Sequence, residues 1–226
     1  ATDQLNIISA KTAGVIIEPI QGDAGVRIPS SEFLKALRRR CDEVGALLIF
    51  DEIQSGFGRT GKLFAFEHFN VVPDVLTVGK AFGGGMPIGG FISSKENMNK
   101  LTYNPKLGHI TTFGGHPVCC AAALASLELI SDPELLAQVE VKGKLFAHLL
   151  DHPKIKEIRR NGMFFAIELE NPEIVQQVVN GCKEKGVLTF WFLSHPQSFR
   201  IAPPLIISEQ EIKSSCQVIN QILDSI

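Results

Sequence analysis

The sequence predicts an α/β protein: a mostly parallel sheet with one antiparallel strand, followed by a smaller C-terminal α+β domain. Three observations carry this. In residues 1–132, short apolar runs alternate with helical patterns, as in a parallel sheet. The link from the third run to the fourth is too short and glycine-rich for a parallel crossover, which takes about a dozen residues or more. From about residue 133 the order of strands and helices changes. The domains are therefore drawn at 1–132 and 133–226.

Gly14 to Ile17 (GVII) reads as a buried strand ending at Glu18-Pro19. Ser31 reads as an N-cap, and Phe33 to Val44 follow with helical periodicity. Ala46 to Phe50 (ALLIF) is a second strand, ending at Asp51-Glu52, and the glycine-rich loop SGFGRTG comes next. Val75 to Val78 is a third strand, ending at Gly79-Lys80. The fourth, Phe91 to Ser93, follows KAFGGGMPIGG and is expected to run antiparallel. Pro117 opens a helix over Val118 to Ile130, and Asp132-Pro133 interrupts before Glu134 to Leu150 resume. The smaller domain then reads as strand 164–169, helix 172–185, strands 187–190 and 198–202, and helix 208–223.

Composition narrows the field. The net charge of -2 and the lack of a basic run beyond Arg38-Arg39-Arg40 give no electrostatic case for nucleic acid or an anionic membrane. No apolar run reaches the roughly 18–20 residues of a membrane span. The five cysteines are scattered without a CxxC, which suggests neither a metal site nor a redox motif. A reducing cytoplasm is the expected location.

Three strands run directly into an ionisable group: Glu18, Asp51 and Lys80. In open α/β sheets ligands bind beyond the carboxyl ends of the strands. Each residue alone could be the first solvated position after a strand. All three together, each near glycine or proline, could converge on one crevice. Partial burial of a lysine makes a neutral amine available for Schiff-base chemistry. An acid on a neighbouring strand, here Asp51, could protonate a pyridine nitrogen and improve the electron sink. The GGGMPIGG stretch does not fit a nicotinamide site, because the required helix and following acid are missing.

The strings GVIIEPIQGDAG, LLIFDEIQSGFGRTGKLFAFE, PDVLTVGKAFGGGMPIGG, TTFGGHPVCCAAAL and FRIAPPL lie in order along nearly the whole chain. Together they resemble the class III aminotransferases, the ornithine, acetylornithine and 4-aminobutyrate group. The resemblance implies a fold-type I transferase that uses pyridoxal 5'-phosphate (PLP). It implies that Lys80 carries the cofactor covalently and later moves the substrate proton. Asp51 would pair with the pyridine nitrogen, Gln54 would lie beside the phenolic oxygen, and Glu18 would form the floor near Gln54. Thr112 would reach the cofactor phosphate of the neighbouring subunit, which makes a homodimer with shared active sites the expected assembly. Arg200 would clamp a substrate carboxylate. Arg59 would tie down the glycine-rich loop, and His116 would open a helix.

Two departures stand out. Asp23 occupies a position where several relatives have glutamate, the acid that pairs with the clamping arginine; aspartate is one methylene shorter. An intact member also carries roughly 150–200 further residues ahead of this region. The expected reaction moves an amino group from an ornithine- or acetylornithine-like donor to a 2-oxo acid such as 2-oxoglutarate. An aminomutase, racemase or decarboxylase of the same fold, or a non-catalytic fragment of such an enzyme, is the alternative.

Overall fold

A computed structural model describes residues 2–106 and 108–226. It resolves into two compact units, one made of 1–19, 29–57 and 64–130, the other of 20–28, 58–63 and 131–226.

In the first unit, β1 (Gly14–Ile17), β2 (Leu47–Asp51) and β3 (Val75–Val78) pair in parallel. β4 (Gly90–Ser93) closes the order β1-β2-β3-β4 and runs antiparallel to β3, as its short link requires. Between β1 and β2 lies α1 (Ser31–Val44), which buries Leu34, Leu37 and Cys41 at helical spacing. Its N-cap is Ser30, one residue before the expected Ser31: the Ser30 hydroxyl accepts from the Phe33 amide at 3.2 Å. Gly45 ends the helix at φ 75°, a left-handed turn that suits glycine. Asp74 then joins three elements, since its Oδ2 accepts from Leu48 N at 2.7 Å and Arg38 Nη1 at 2.8 Å.

Two helices complete this unit. α2 (Lys95–Lys100) is short and polar, so it has no periodicity to announce it; Ser94 caps it through Asn97 N. α3 (Pro117–Ile130) is apolar on nearly every side, yet only Ala123 is buried. His116 does open this helix, its Nδ1 accepting from Val118 N at 3.3 Å.

The second unit holds α4 (Pro133–Leu149), β5 (Glu157–Asn161), β6 (Phe164–Glu168), α5 (Pro172–Glu184), β7 (Phe190–Trp191), β8 (Ser198–Ile201) and α6 (Glu209–Ser225). The strands form an antiparallel sheet in the order β5-β6-β8-β7. Phe146, Phe165, Ile167, Val178, Ile212 and Ile219 meet in its core at 1% exposure or less, each worth about 1.5–3 kcal/mol of burial. Proline at the first turn suits α4 and α5, with Asp132 and Asn171 as caps.

Two strands differ from expectation. β5 reads EIRRN, without apolar alternation, and is held by its ladder to β6 and by ion pairs. β7 starts at Phe190 rather than Val187, because the Val187 amide still serves the end of α5, donating to Cys182 O at 2.8 Å.

Arg159 is the polar centre of this unit. Its Nε donates to Gly25 O at 2.7 Å, Nη2 to Ser198 Oγ at 3.1 Å, and Nη1 to Glu168 Oε2 at 2.5 Å and to Glu157. Its hydrogen bond holds the Glu168 carboxyl below the ordinary 4.5. A lowered folded-state pKa gives stability that is present at neutral pH and lost as the pH falls below 4.5. Glu168→Gln should therefore cost roughly 1 kcal/mol at pH 7 for this partly exposed pair. That difference, read by urea unfolding at pH 7 and again in acid, should shrink as the pH falls below 4.5 and through the lowered folded-state value. An equal deficit at both pH values would refute the ionic origin.

Candidate active site

The parallel register aligns Ile17 with Phe50 and Asp51 with Thr77. Glu18, Asp51 and Lys80 thus emerge at the carboxyl ends of three adjacent strands, all within the first unit. Lys80 follows Gly79 and opens a 3-10 turn, Lys80–Gly83. Its backbone stands at φ 48°, in the left-handed region that non-glycine residues rarely adopt. Such conformations cost about 1–3 kcal/mol and cluster where function demands them. The Lys80 side chain is exposed.

Asp51 turns the chain at the end of β2, its Oδ1 accepting from Ile53 N at 3.0 Å. Gln54 follows within the same turn and is half-buried. Glu52, which the strand-end reading passed over, is fully buried. Its carboxylate accepts from Ser55 Oγ at 3.0 Å, Ala65 N at 2.7 Å and Phe66 N at 2.8 Å. Burial pushes its carboxyl up, against the pull of those three bonds. One carboxylate thus ties both ends of the loop after Asp51. Strand alternation could have found it, since Glu52 shares the inward face of Leu48 and Phe50. Under the Lys80 turn, Phe82 stacks on Phe57 at 5.3 Å, and Phe57 meets Phe64 edge-on at 5.4 Å.

Thr112 is exposed in the same unit, between exposed Ile110 and Phe113. Arg200 and Asp23 belong to the second unit. Arg200 lies in β8, its guanidinium carbon 5.5 Å from the Phe190 ring centroid and 6.0 Å from that of Phe192. Asp23 is engaged elsewhere: its carboxylate accepts from Ser194 Oγ at 2.7 Å and Leu193 N at 3.3 Å. Among the described residues no carboxylate forms an ion pair with Arg200. Arg59 Nη1 donates to Met163 O at 3.3 Å and Pro203 O at 2.5 Å.

The donor set at the strand ends suits PLP. A carboxylate can hold a pyridine N–H, an amine can condense with an aldehyde, and an amide can bond a phenolic oxygen. Thr77 Oγ1, paired in register with Asp51, is buried without a partner among the described residues.

The sheet order, the antiparallel β4 and the smaller antiparallel unit together make this the fold of type I PLP transferases. The class-III aminotransferase family matches residues 2–223, and the chain belongs to that family. Ornithine aminotransferase 2 of Staphylococcus aureus is 42% identical over 219 residues, covering 95% of this chain and 54% of that protein. An aminotransferase structure from Bacillus anthracis superposes at TM-score 0.90 with 31% identity, over 100% of this chain and 55% of the other. Ornithine aminotransferase of Toxoplasma gondii, whose active site holds PLP at partial occupancy, gives 0.87 and 33% over 100% and 53%. The chain spans about half the length of the curated relatives it matches.

Proposed function

We propose that the protein containing this chain is a PLP-dependent aminotransferase. It moves an amino group from an ornithine- or acetylornithine-like donor to a 2-oxo acid such as 2-oxoglutarate. The observation that carries this reading is the juxtaposition of Lys80, Asp51 and Glu18 at three adjacent strand ends in a chain of this family. The ornithine aminotransferases among the relatives support the donor class.

Bound PLP would supply the electron sink for the bond-breaking step. Lys80 Nζ would hold the cofactor, yield its place to the donor amine, and then carry a proton between the substrate carbon and the cofactor. Asp51 would keep the pyridine nitrogen protonated, held in position by its own bond to Ile53 N. Gln54 would lie on the phenolic oxygen and Glu18 beneath it. Arg200 would take a substrate carboxylate with a planar, bidentate fork. Asp23 would act on this site through Ser194 and Leu193 rather than through a bond to Arg200.

A homodimer belongs to the same reading, with Thr112 reaching the cofactor phosphate of the partner. Exposed Ile110, Phe113 and Val118 around Thr112 support it. Among the described residues no helix is long and apolar enough to cross a membrane. We place the reaction in the cytoplasm, where the five free cysteines would stay reduced.

A two-substrate assay tests the reaction. Amino transfer needs an acceptor oxo acid; mutase, racemase and decarboxylase chemistry does not. Turnover of the donor at full rate without any 2-oxo acid would exclude the aminotransferase.

A further inference from the structure

Arg59 sits in the 58–63 segment, and among the described residues no acid forms an ion pair with it. Only its Nη1 is engaged, on the carbonyl oxygens of Met163 and Pro203. Among the described residues Nε and Nη2 have no hydrogen-bond partner, and neither is sealed from solvent. Carbonyl dipoles leave the full positive charge unbalanced. Burial, and secondarily the charge of Arg200, pushes Arg59 down to about 10, so its guanidinium stays protonated at neutral pH.

The anchors of Arg59 place it near Arg200, and the two charges interact. Pro203, which anchors Arg59, lies three residues beyond Arg200 on the same stretch of chain. Met163, the other anchor, directly precedes β6, the ladder partner of β8. The Arg200 guanidinium lies against the Phe190 and Phe192 rings. Two like charges at a half-buried position repel each other until an anion joins them. The unengaged Nε–Nη2 edge of Arg59 is a bidentate face for a carboxylate.

We propose that Arg59 and Arg200 form one anion-binding locus, in which Arg59 is a second guanidinium on the substrate carboxylate taken by Arg200. The ligand's role in catalysis rests on the aminotransferase reading; its chemistry does not.

The test is calorimetric binding of 2-oxoglutarate, and separately of inorganic phosphate, to the cofactor-loaded protein that contains this chain. Wild type is compared with Arg59→Gln and Arg59→Lys. Lysine can still reach the two carbonyls but has no second edge, so it keeps the tie and loses the site. The expected result is 2-oxoglutarate binding weakened about 10–100-fold in both variants. The KM of an amine donor without a carboxylate should stay unchanged. Weaker binding in the variants without amino transfer by wild type would keep the site and remove the aminotransferase reading. An unchanged affinity in either folded variant overturns the proposal, as does no binding to wild type. Phosphate bound more tightly than 2-oxoglutarate through Arg59 overturns the carboxylate assignment.

Discussion

Lys80→Ala is expected to abolish amino transfer while leaving the fold intact. On the proposed reading the lysine carries two tasks, covalent attachment and proton movement, and no described neighbour duplicates its amine at the three strand ends. The rate should fall by roughly 10⁴ or more, the upper range for general acid–base catalysis with the covalent step added. Borohydride reduction followed by peptide mass analysis should find the cofactor on Lys80 in wild type and on no residue in the variant. The side chain is exposed, and alanine meets the same left-handed backbone as lysine. Unfolding free energy should therefore stay within about 0.5 kcal/mol of wild type. An adduct on another lysine, or a variant keeping a few per cent of activity, would remove Lys80 from its assigned role.

The second large effect concerns Gly162→Ala. Gly162 stands at φ 57°, and a Cβ there would come within 2.6 Å of Thr60 C and 2.8 Å of Arg59 O. Both obstacles are backbone, so no side chain can swing away. Left-handed strain and overpacking together should cost about 2–4 kcal/mol. Gly45→Ala separates the two terms, since Gly45 has φ 75° and nothing within 4 Å of the added carbon. It should cost only the strain, about 1 kcal/mol. Urea unfolding of both variants gives the comparison; equal losses would mean that the crowding around Gly162 relaxes freely. A strained Gly162 variant should also disturb carboxylate binding, because Arg59 O and Met163 N are bonded there.

Local chemistry explains what could be read from the sequence alone. GVII, ALLIF and VLTV are apolar runs with clear ends, and the short link after VLTV dictated an antiparallel β4. Because the proposed functional groups sit directly at those ends, Glu18, Asp51 and Lys80 stand out in the sequence as candidates. EIRRN could not be read as a strand, since it lacks apolar alternation and is held by its ladder to β6 and by the pairs of Arg159 with Glu168 and Arg160 with Glu140. Ser30 and Ser31 are chemically equivalent caps, and only the bond to Phe33 N separates them. Partners such as Ser194 for Asp23, or Pro203 for Arg59, lie more than a hundred residues away and leave no local trace.

The segments 20–28 and 58–63 also bear on how this protein can be taken apart. They cluster with 131–226 although most of their flanking chain does not. A single cut near residue 131 would strip Gly25 from Arg159 and the Arg59–Thr60 backbone from Gly162. The C-terminal piece is thus modular in space without being modular in sequence. Swapping it between relatives would exchange one half of each of these contacts and leave the other half behind. Chimeras should therefore tolerate the exchange only when those two short inserts travel with it.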